Sequence, residues 1–535
     1  MRQADRHAGN VMDQAQPKPY YFNDGKSQLH YWLIGEGKPL VVFPGLLTGS
    51  ATRAAEVGRV LPSRRVICVD LPGLGGSPLP QNLTADQRAE VIRKFVASLG
   101  SGIDYLAFDL QGPLASALMA GCANVQSGFW IDAEQWEKCA RHDLRCRSLA
   151  LSWDGTHLTK LWHHIRDIDI LEDGNPRKIG GTPEDYMTPD ELDDAVLTFG
   201  VTPSVYEDLW HDALTADPID EDRFAKVESL EAISSNLDAS AAPSGLIESP
   251  EPPSNATMRD YVDIPRGRVH LLRKGSGNRL LLALMAGPGS SSALQPLLDR
   301  LGDDFLVVAP DYIGQGKSPR NTAPTNMAQL GRDAADVAAA LGFDEYLVYG
   351  THTGAGVAIE LAIQEPVRVK RLILDGVVMR RPAERVENSP AYFPDLLVDS
   401  WGSHLLQCWN IRRDGFYFYP WFKIESQYAQ HWTTPEVPVL HDRVICTLRS
   451  RTTPAYQVAI CDYDATDRLA LITVPTLCVA GPNDAFVKDL VLAKEVASDS
   501  FVFEDIQATI YFPEAESDLR NTTRLMIDFL NGDRS

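Results

Sequence analysis

VICVDLPGLGGSP, beginning at Val66, and LVVAPDYIGQGKSP, beginning at Leu306, are two versions of one element: a β-branched strand followed by Asp-x-x-Gly-x-Gly-x-Ser. The glycines (Gly73 and Gly75, Gly314 and Gly316) permit a tight loop, and Ser77 and Ser318 stand where they can cap the next segment. Two more pairs repeat in the same order. LHYWLIGEG from Leu29 answers VHLLRKGSG from Val269, and PLVVFPGL from Pro39 answers LLALMAGP from Leu281. A chain that repeats strand, loop and strand in register is expected to fold as two copies of one domain. Its 535 residues exceed what one core serves, which agrees.

Between the copies, Glu228 to Met258 clusters Ser, Ala, Pro, Asn and Glu without sustained periodicity, which is linker composition. The expected organisation is a disordered tail over residues 1–19, a first domain over 20–230, a linker over 231–258 and a second domain over 259–535.

Charge narrows the partners. Fifty basic against 72 acidic residues give a net charge of −22, a field that opposes nucleic acid and anionic membranes. The N-terminal MRQADRHAGNVMDQAQP lacks the apolar run of a signal peptide, and no later segment has the length and apolarity of a membrane span. A cytoplasmic protein acting on a small molecule is the expectation. The eight cysteines include no Cys-x-x-Cys pair, and Cys68 and Cys478 fall in apolar runs, so they read as reduced and structural, with no metal and no cofactor implied.

Apolar strand runs alternate with helical stretches in each copy, the pattern of βαβ units around mainly parallel, doubly wound sheets. With the repeated Asp-x-x-Gly-x-Gly-x-Ser loops, the glycine loop after the third strand and the late PTLCVAGPND segment, the chain resembles the α/β-hydrolase superfamily. The resemblance covers nearly all of Asp260 to Leu530, and Tyr20 to about Leu230 less completely. It implies two α/β sheets, each with a helical cap, the second cap at about 380–465 between the sixth and seventh strands. The first copy is expected to stop before its last two strands, since nothing in it answers PTLCVAGPND or LMIDFL.

Leu347 to Gly356, LVYGTHTGAG, resembles the superfamily's nucleophile elbow with His352 at the tip. Small neighbours are needed around a tip residue at positive φ, and Gly350, Gly354, Ala355 and Gly356 supply them. No histidine follows His441, so the late triad histidine is missing and acyl-serine chemistry is not expected. Tyr511 lies near where that histidine belongs. The resemblance implies an oxyanion hole from the backbone N–H groups of Thr353 and Gly287, while Pro288 has no N–H to give. Two carboxylates can orient His352: Asp375, ending the sixth strand, and Asp484, at the family's usual acid position. Strand adjacency favours Asp375 as the direct partner.

In the first copy, matching Gly112 to Gly354 puts Leu110 at the tip, with Phe108 in place of a glycine and Asp132 parallel to Asp375. A leucine at positive φ is costly, so that turn is expected to have relaxed and the copy to support the second. The caps also correspond, His157 to His404, Trp162 to Trp409, Arg166 to Arg413 and Asp167 to Asp414. Trp409, Arg413 and Asp414 read as a packing unit with a local ion pair, and His404 as a candidate substrate-pocket residue. The preferred reading is an enzyme on a small, apolar ester or lactone with His352 as general base. A lyase or isomerase on the same scaffold, and a catalytically dead binding protein, stay open.

Overall fold

The computed structural model describes residues 16–78, 84–133, 136, 139, 146–170, 187–216, 224–234, 255–319, 325–381, 391–430, 434–450, 461–510 and 515–533. The chain divides into two compact units, Met1–Ala150 with Lys160–Glu251, and Leu151–Thr159 with Pro252–Ser535. Among the described residues, fifteen strands fall into two sheets. The first unit contributes β1 (Lys18–Asn23), β2 (Gln28–Ile34), β3 (Lys38–Phe43), β4 (Arg64–Val69), β5 (Ile103–Phe108), β6 (Val125–Ile131) and β7 (Phe224–Lys226), in the order β1-β2-β4-β3-β5-β6-β7. The second contributes β8 (Met258–Ile264), β9 (Gly267–Lys274), β10 (Leu280–Leu284), β11 (Leu306–Pro310), β12 (Tyr346–Thr351), β13 (Val369–Asp375), β14 (Thr476–Val479) and β15 (Phe501–Phe503).

Read from its far edge, the second sheet runs β8-β9-β11-β10-β12-β13-β14-β15, so its first seven positions match those of the first sheet one for one. In both, an antiparallel hairpin leads into strands that pair in parallel from the third position onward. Strands such as β10 (LLLAL) are apolar at every residue and fully buried because helices lie on both faces. Each unit has its own apolar core, around Leu40, Val66 and Leu106 in the first and Leu282, Val348 and Leu372 in the second.

Two sequence expectations change here. The first sheet has a seventh strand, β7, paired in parallel with β6; at three residues, FAK, it is too short to leave a pattern. Among the described residues it therefore lacks one strand rather than two. Within the expected linker, Leu230–Ser234 forms a short helix, and within the expected tail Lys18 and Pro19 already belong to β1.

The repeated loop is a strut, and its serine bonds back to the backbone of the aspartate and of the paired histidine. His30 Nδ1 lies 2.7 Å from Asp70 Oδ2, and His270 Nδ1 2.8 Å from Asp311 Oδ2, all four residues buried. Ser77 Oγ donates to the Asp70 carbonyl and accepts from His30 N–H, and Ser318 does the same with Asp311 and His270. Gly75 (φ 56°) and Gly316 (φ 55°) let the loop fold over the carboxylate, where a Cβ would lie 2.1 and 2.2 Å from a carboxylate oxygen. Burial pushes His270 down to about 4, so the neutral ring donates its Nδ1–H to Asp311.

Candidate active site

β12 ends at Thr351 and a helix runs from Thr353 to Gln364, leaving His352 alone in the turn at φ 49°, ψ −111°. The small neighbours are required by contact as well as by conformation. A Cβ on Gly350 would lie 2.3 Å from the Gly354 carbonyl, and one on Gly354 would lie 2.0 Å from that of Leu284. The tip is held by a backbone bond from His352 N–H to the Asp375 carbonyl at 3.1 Å.

His352 Nε2 lies 2.7 Å from Asp484 Oδ2, on the loop after β14. Asp484 Oδ1 accepts the Phe486 N–H at 2.7 Å, which fixes the carboxylate toward the ring. Burial works to raise the Asp484 pKa, but the bond to His352, the Phe486 N–H and the nearby Arg380 charge hold it below the ordinary carboxylate value. Gly376 (φ 70°) is the floor of this contact, since a Cβ there would meet His352 Cδ2 at 2.5 Å.

The preference for Asp375 as direct partner is thereby corrected. In the sheet Asp375 pairs with Thr351, the residue before the tip, and its Oδ2 accepts the Tyr349 and Thr509 hydroxyls, each at 2.8 Å. Beyond the strand end, the ring crosses Gly376 to reach Asp484, so strand adjacency points to the wrong carboxylate. Burial and the charge of Asp484 push Asp375 up to about 6.

The loop after β10 is tied to the elbow, with Thr353 Oγ1 donating to the Gly287 carbonyl at 3.3 Å. Gln315 Oε1 accepts the Gly289 N–H, and Arg412 from the cap helix Ser403–Asp414 donates to the Pro288 carbonyl at 2.8 Å. Sequence reasoning missed Phe486, whose ring stands edge-on to His352 at 5.0 Å, and Arg380, which lies 5.3 Å over that ring and donates to the Ala485 carbonyl. Thr509 was missed too. No motif marks these three, because they are gathered by loops. His404 is 2% exposed, in a cap helix that also buries Leu405, Cys408 and Trp409. Trp409 is fully buried, and Arg413 donates to Asp414, as the packing reading expects. Tyr511 lies outside the described residues.

The first unit carries an elbow as well, one residue earlier than the glycine match suggests. Phe108 pairs with Ile131 as Thr351 pairs with Asp375, so Asp109 is the counterpart of His352 and Asp132 that of Gly376. Asp109 has φ 41°, and its N–H donates to the Ile131 carbonyl at 3.0 Å, whereas Leu110 is ordinary helical backbone at φ −68°. Gly112 is glycine because a Cβ would meet the Trp130 indole at 2.2 Å, and that packing requirement made it resemble Gly354.

Residues 280–498 match the family model for the alpha/beta hydrolase fold. A protein of Azorhizobium caulinodans named as a carbamate hydrolase, RutD, is 26% identical over 224 residues, 40% of this chain and 76% of that protein. Haloalkane dehalogenase 2 of Mycobacterium tuberculosis is 29% identical over 126 residues, 23% of this chain and 44% of its own length. Among solved structures, the enol-lactonase from Burkholderia xenovorans LB400 is similar at TM-score 0.39 and 17% identity, covering 51% of this chain and 99% of its own. Among the described residues no helix is long and apolar enough to cross a membrane. The family match over residues 280–498, with the strand order of the second sheet and an elbow bearing His352 opposite the acid after its seventh strand, makes the second unit similar to proteins of the alpha/beta hydrolase fold.

Proposed function

We propose that the second unit hydrolyses a small, apolar ester or lactone, with His352 as general base, Asp484 as its orienting acid and the N–H groups of Thr353 and Gly287 as oxyanion donors. The observation that carries this reading is the 2.7 Å contact between His352 Nε2 and Asp484 at a positive-φ tip whose side chain is 18% exposed. With Asp484 ionised, Nε2 carries the proton and donates it, so Nδ1 holds the lone pair. Nδ1 takes a proton from water as the water oxygen bonds to the substrate carbonyl carbon. The carbonyl oxygen becomes an oxyanion on the two N–H groups. Collapse expels the alkoxide, which recovers the proton from the imidazolium. No bond forms between protein and acyl group. Asp375 acts behind this pair by fixing the strand end through Tyr349 and Thr509.

The donor pair is supported by the other unit, where Leu46 and Leu110 hold the positions of Gly287 and Thr353 and both donate to one carboxylate oxygen. His404 is given no chemical step.

The test is turnover of an ester and lactone panel by the full chain, with a serine-directed fluorophosphonate expected to leave activity intact. His352→Ala and Asp484→Asn are expected to lower kcat by about 10²–10⁴. Turnover in ¹⁸O water should place label in the acid product in a single turnover, with no acyl mass on the protein. A folded wild-type protein that turns over nothing in the panel overturns the hydrolase reading in favour of a binding protein, and proton exchange or elimination on the same compounds favours the lyase or isomerase.

A further inference from the structure

The segment around Trp153, which the repeat pairs with Trp401, is not part of the first unit. Leu151–Thr159 belongs to the second, although it precedes the linker and the residues from Lys160 onward return to the first. It forms a tight turn in which the Gly155 N–H donates to the Ser152 carbonyl at 3.1 Å and Asp154 Oδ1 accepts the Thr156 N–H at 3.1 Å. The turn closes on Trp409, in the cap helix Ser403–Asp414. The Trp409 indole N–H donates to the Trp153 carbonyl at 2.8 Å, and the His157 ring stands edge-on to the indole at 5.0 Å. Gly155 (φ 75°) has no room for a side chain, since a Cβ would lie 2.4 Å from Trp409 Cγ.

A second cap helix, Val437–Ser450, is gripped through a histidine. The Ser152 N–H donates to His157 Nδ1 at 3.3 Å, which leaves the ring proton on Nε2, and Nε2 lies 2.9 Å from His441 Nδ1. One N–H thus joins two rings that are 0% and 4% exposed. Both helices also reach the loop after β10. One turn beyond Trp409, Arg412 donates to the Pro288 carbonyl at 2.8 Å and to Thr447 Oγ1, on the second helix, at 2.7 Å. On that helix Asp442, Cys446 and Ser450 recur every four residues along one face and meet the loop in reverse order. Ser292 Oγ donates to Asp442 Oδ2 at 2.9 Å, Ser290 Oγ donates to Cys446 Sγ at 3.0 Å, and Ser450 Oγ lies 3.3 Å from the Gly289 carbonyl oxygen.

We propose that Leu151–Thr159 is a strap that locks both cap helices onto the loop after β10, with Gly155 and His157 as positioning residues, so that the part of the second unit carrying Gly287 is held in place by residues encoded before the linker. The first copy then has a use that needs no chemistry of its own. The lock stands apart from any reaction; its effect on turnover rests on the reading of Gly287 as an oxyanion donor.

The test uses the full chain and amide exchange read by mass on peptides spanning 403–414, 285–292 and, as reference, 369–375. His157→Ala removes the bond to His441 and the edge against Trp409. Exchange is expected to rise about tenfold in the first two peptides and to stay level in the third. His157→Gln, whose amide brings an N–H to the place of Nε2, is expected to return both to within about twofold of wild type. On the ester and lactone panel kcat should fall about tenfold in His157→Ala and recover in His157→Gln, with KM changed less. If the wild type turns over nothing, the hydrolase reading fails and the exchange comparison still decides the strap. If His157→Ala does not fold, His157→Asn, which keeps an acceptor for the Ser152 N–H and stops short of His441, takes its place. Exchange raised in 403–414 alone, raised equally in all three peptides or unchanged overturns the proposal, as does a chain that folds with neither substitution.

Discussion

Asp375, at the end of β13, and Asp484, in the loop after the neighbouring β14, are two buried carboxylates whose surroundings drive them apart. Burial raises both, but Asp484 receives His352, a backbone N–H and the field of Arg380, whereas Asp375 receives two hydroxyls and faces Asp484. Asp375 thus moves from 3.8 to about 6 in the folded protein. The native state keeps a proton that the unfolded chain has already released, so stability falls as pH rises from about 4 to about 6 and is level above that window. A shift of this size corresponds to roughly 2–3 kcal/mol as an upper figure. Asp109 has the same direction and adds to the same window. Asp375→Asn is expected to remove part of this slope and to raise the midpoint in urea at pH 7 relative to wild type; an unchanged slope between pH 4 and 6 would remove the buried proton from the account. In the pH–rate profile of the proposed reaction, the same substitution should delete an ionisation near 6.

At the scale of the element, the elbow is a strand and a helix brought too close for any side chain between them. Gly354→Ala would drive a Cβ to 2.0 Å from the Leu284 carbonyl at the end of β10, a backbone atom, so β10 and the elbow helix must separate. The expected cost is at least about 1–3 kcal/mol, with loss of the His352–Asp484 contact, measurable as a lowered melting temperature together with abolished turnover. By contrast Gly356→Ala, which meets the flexible end of Met327 at 3.1 Å, should cost less. These contacts explain what was readable in the sequence. The second elbow was legible because its glycines answer backbone clashes that any such turn imposes. The first was misplaced by one residue because Gly112 answers the Trp130 ring instead, and sequence does not distinguish the two needs. The acid partner was misassigned because a side chain leaving a strand end is aimed by the next residue, Gly376, and not by the neighbouring strand. The strut was visible only as a glycine-serine motif, since its other half, His30 or His270, is some 40 residues away in each unit.

Across the whole molecule, the same strut occurs once in each sheet, and each sheet has its own buried core. This permits matched lesions in the two units. Asp70→Ala strips His30 Nδ1 and the Gly76 N–H of their acceptor, and Asp311→Ala strips His270 Nδ1 and the N–H groups of Ser291 and Lys317. Orphaned buried donors cost about 1–3 kcal/mol each, so each lesion should lower the stability of its own unit by several kcal/mol. Ser291 continues the loop that carries Gly287, and therefore Asp311→Ala should also disturb the proposed oxyanion donor and reduce turnover. Asp70→Ala has no such link and should leave turnover of the proposed substrate within about twofold of wild type while shifting an unfolding transition downward. Calorimetry of the two variants beside wild type, with activity measured after partial heating, reads both effects. Two cores that unfold separately predict a transition moved by one lesion and untouched by the other; a single transition moved equally by both, with activity lost in both, would show that the units stand or fall together and that the first supports the chemistry of the second.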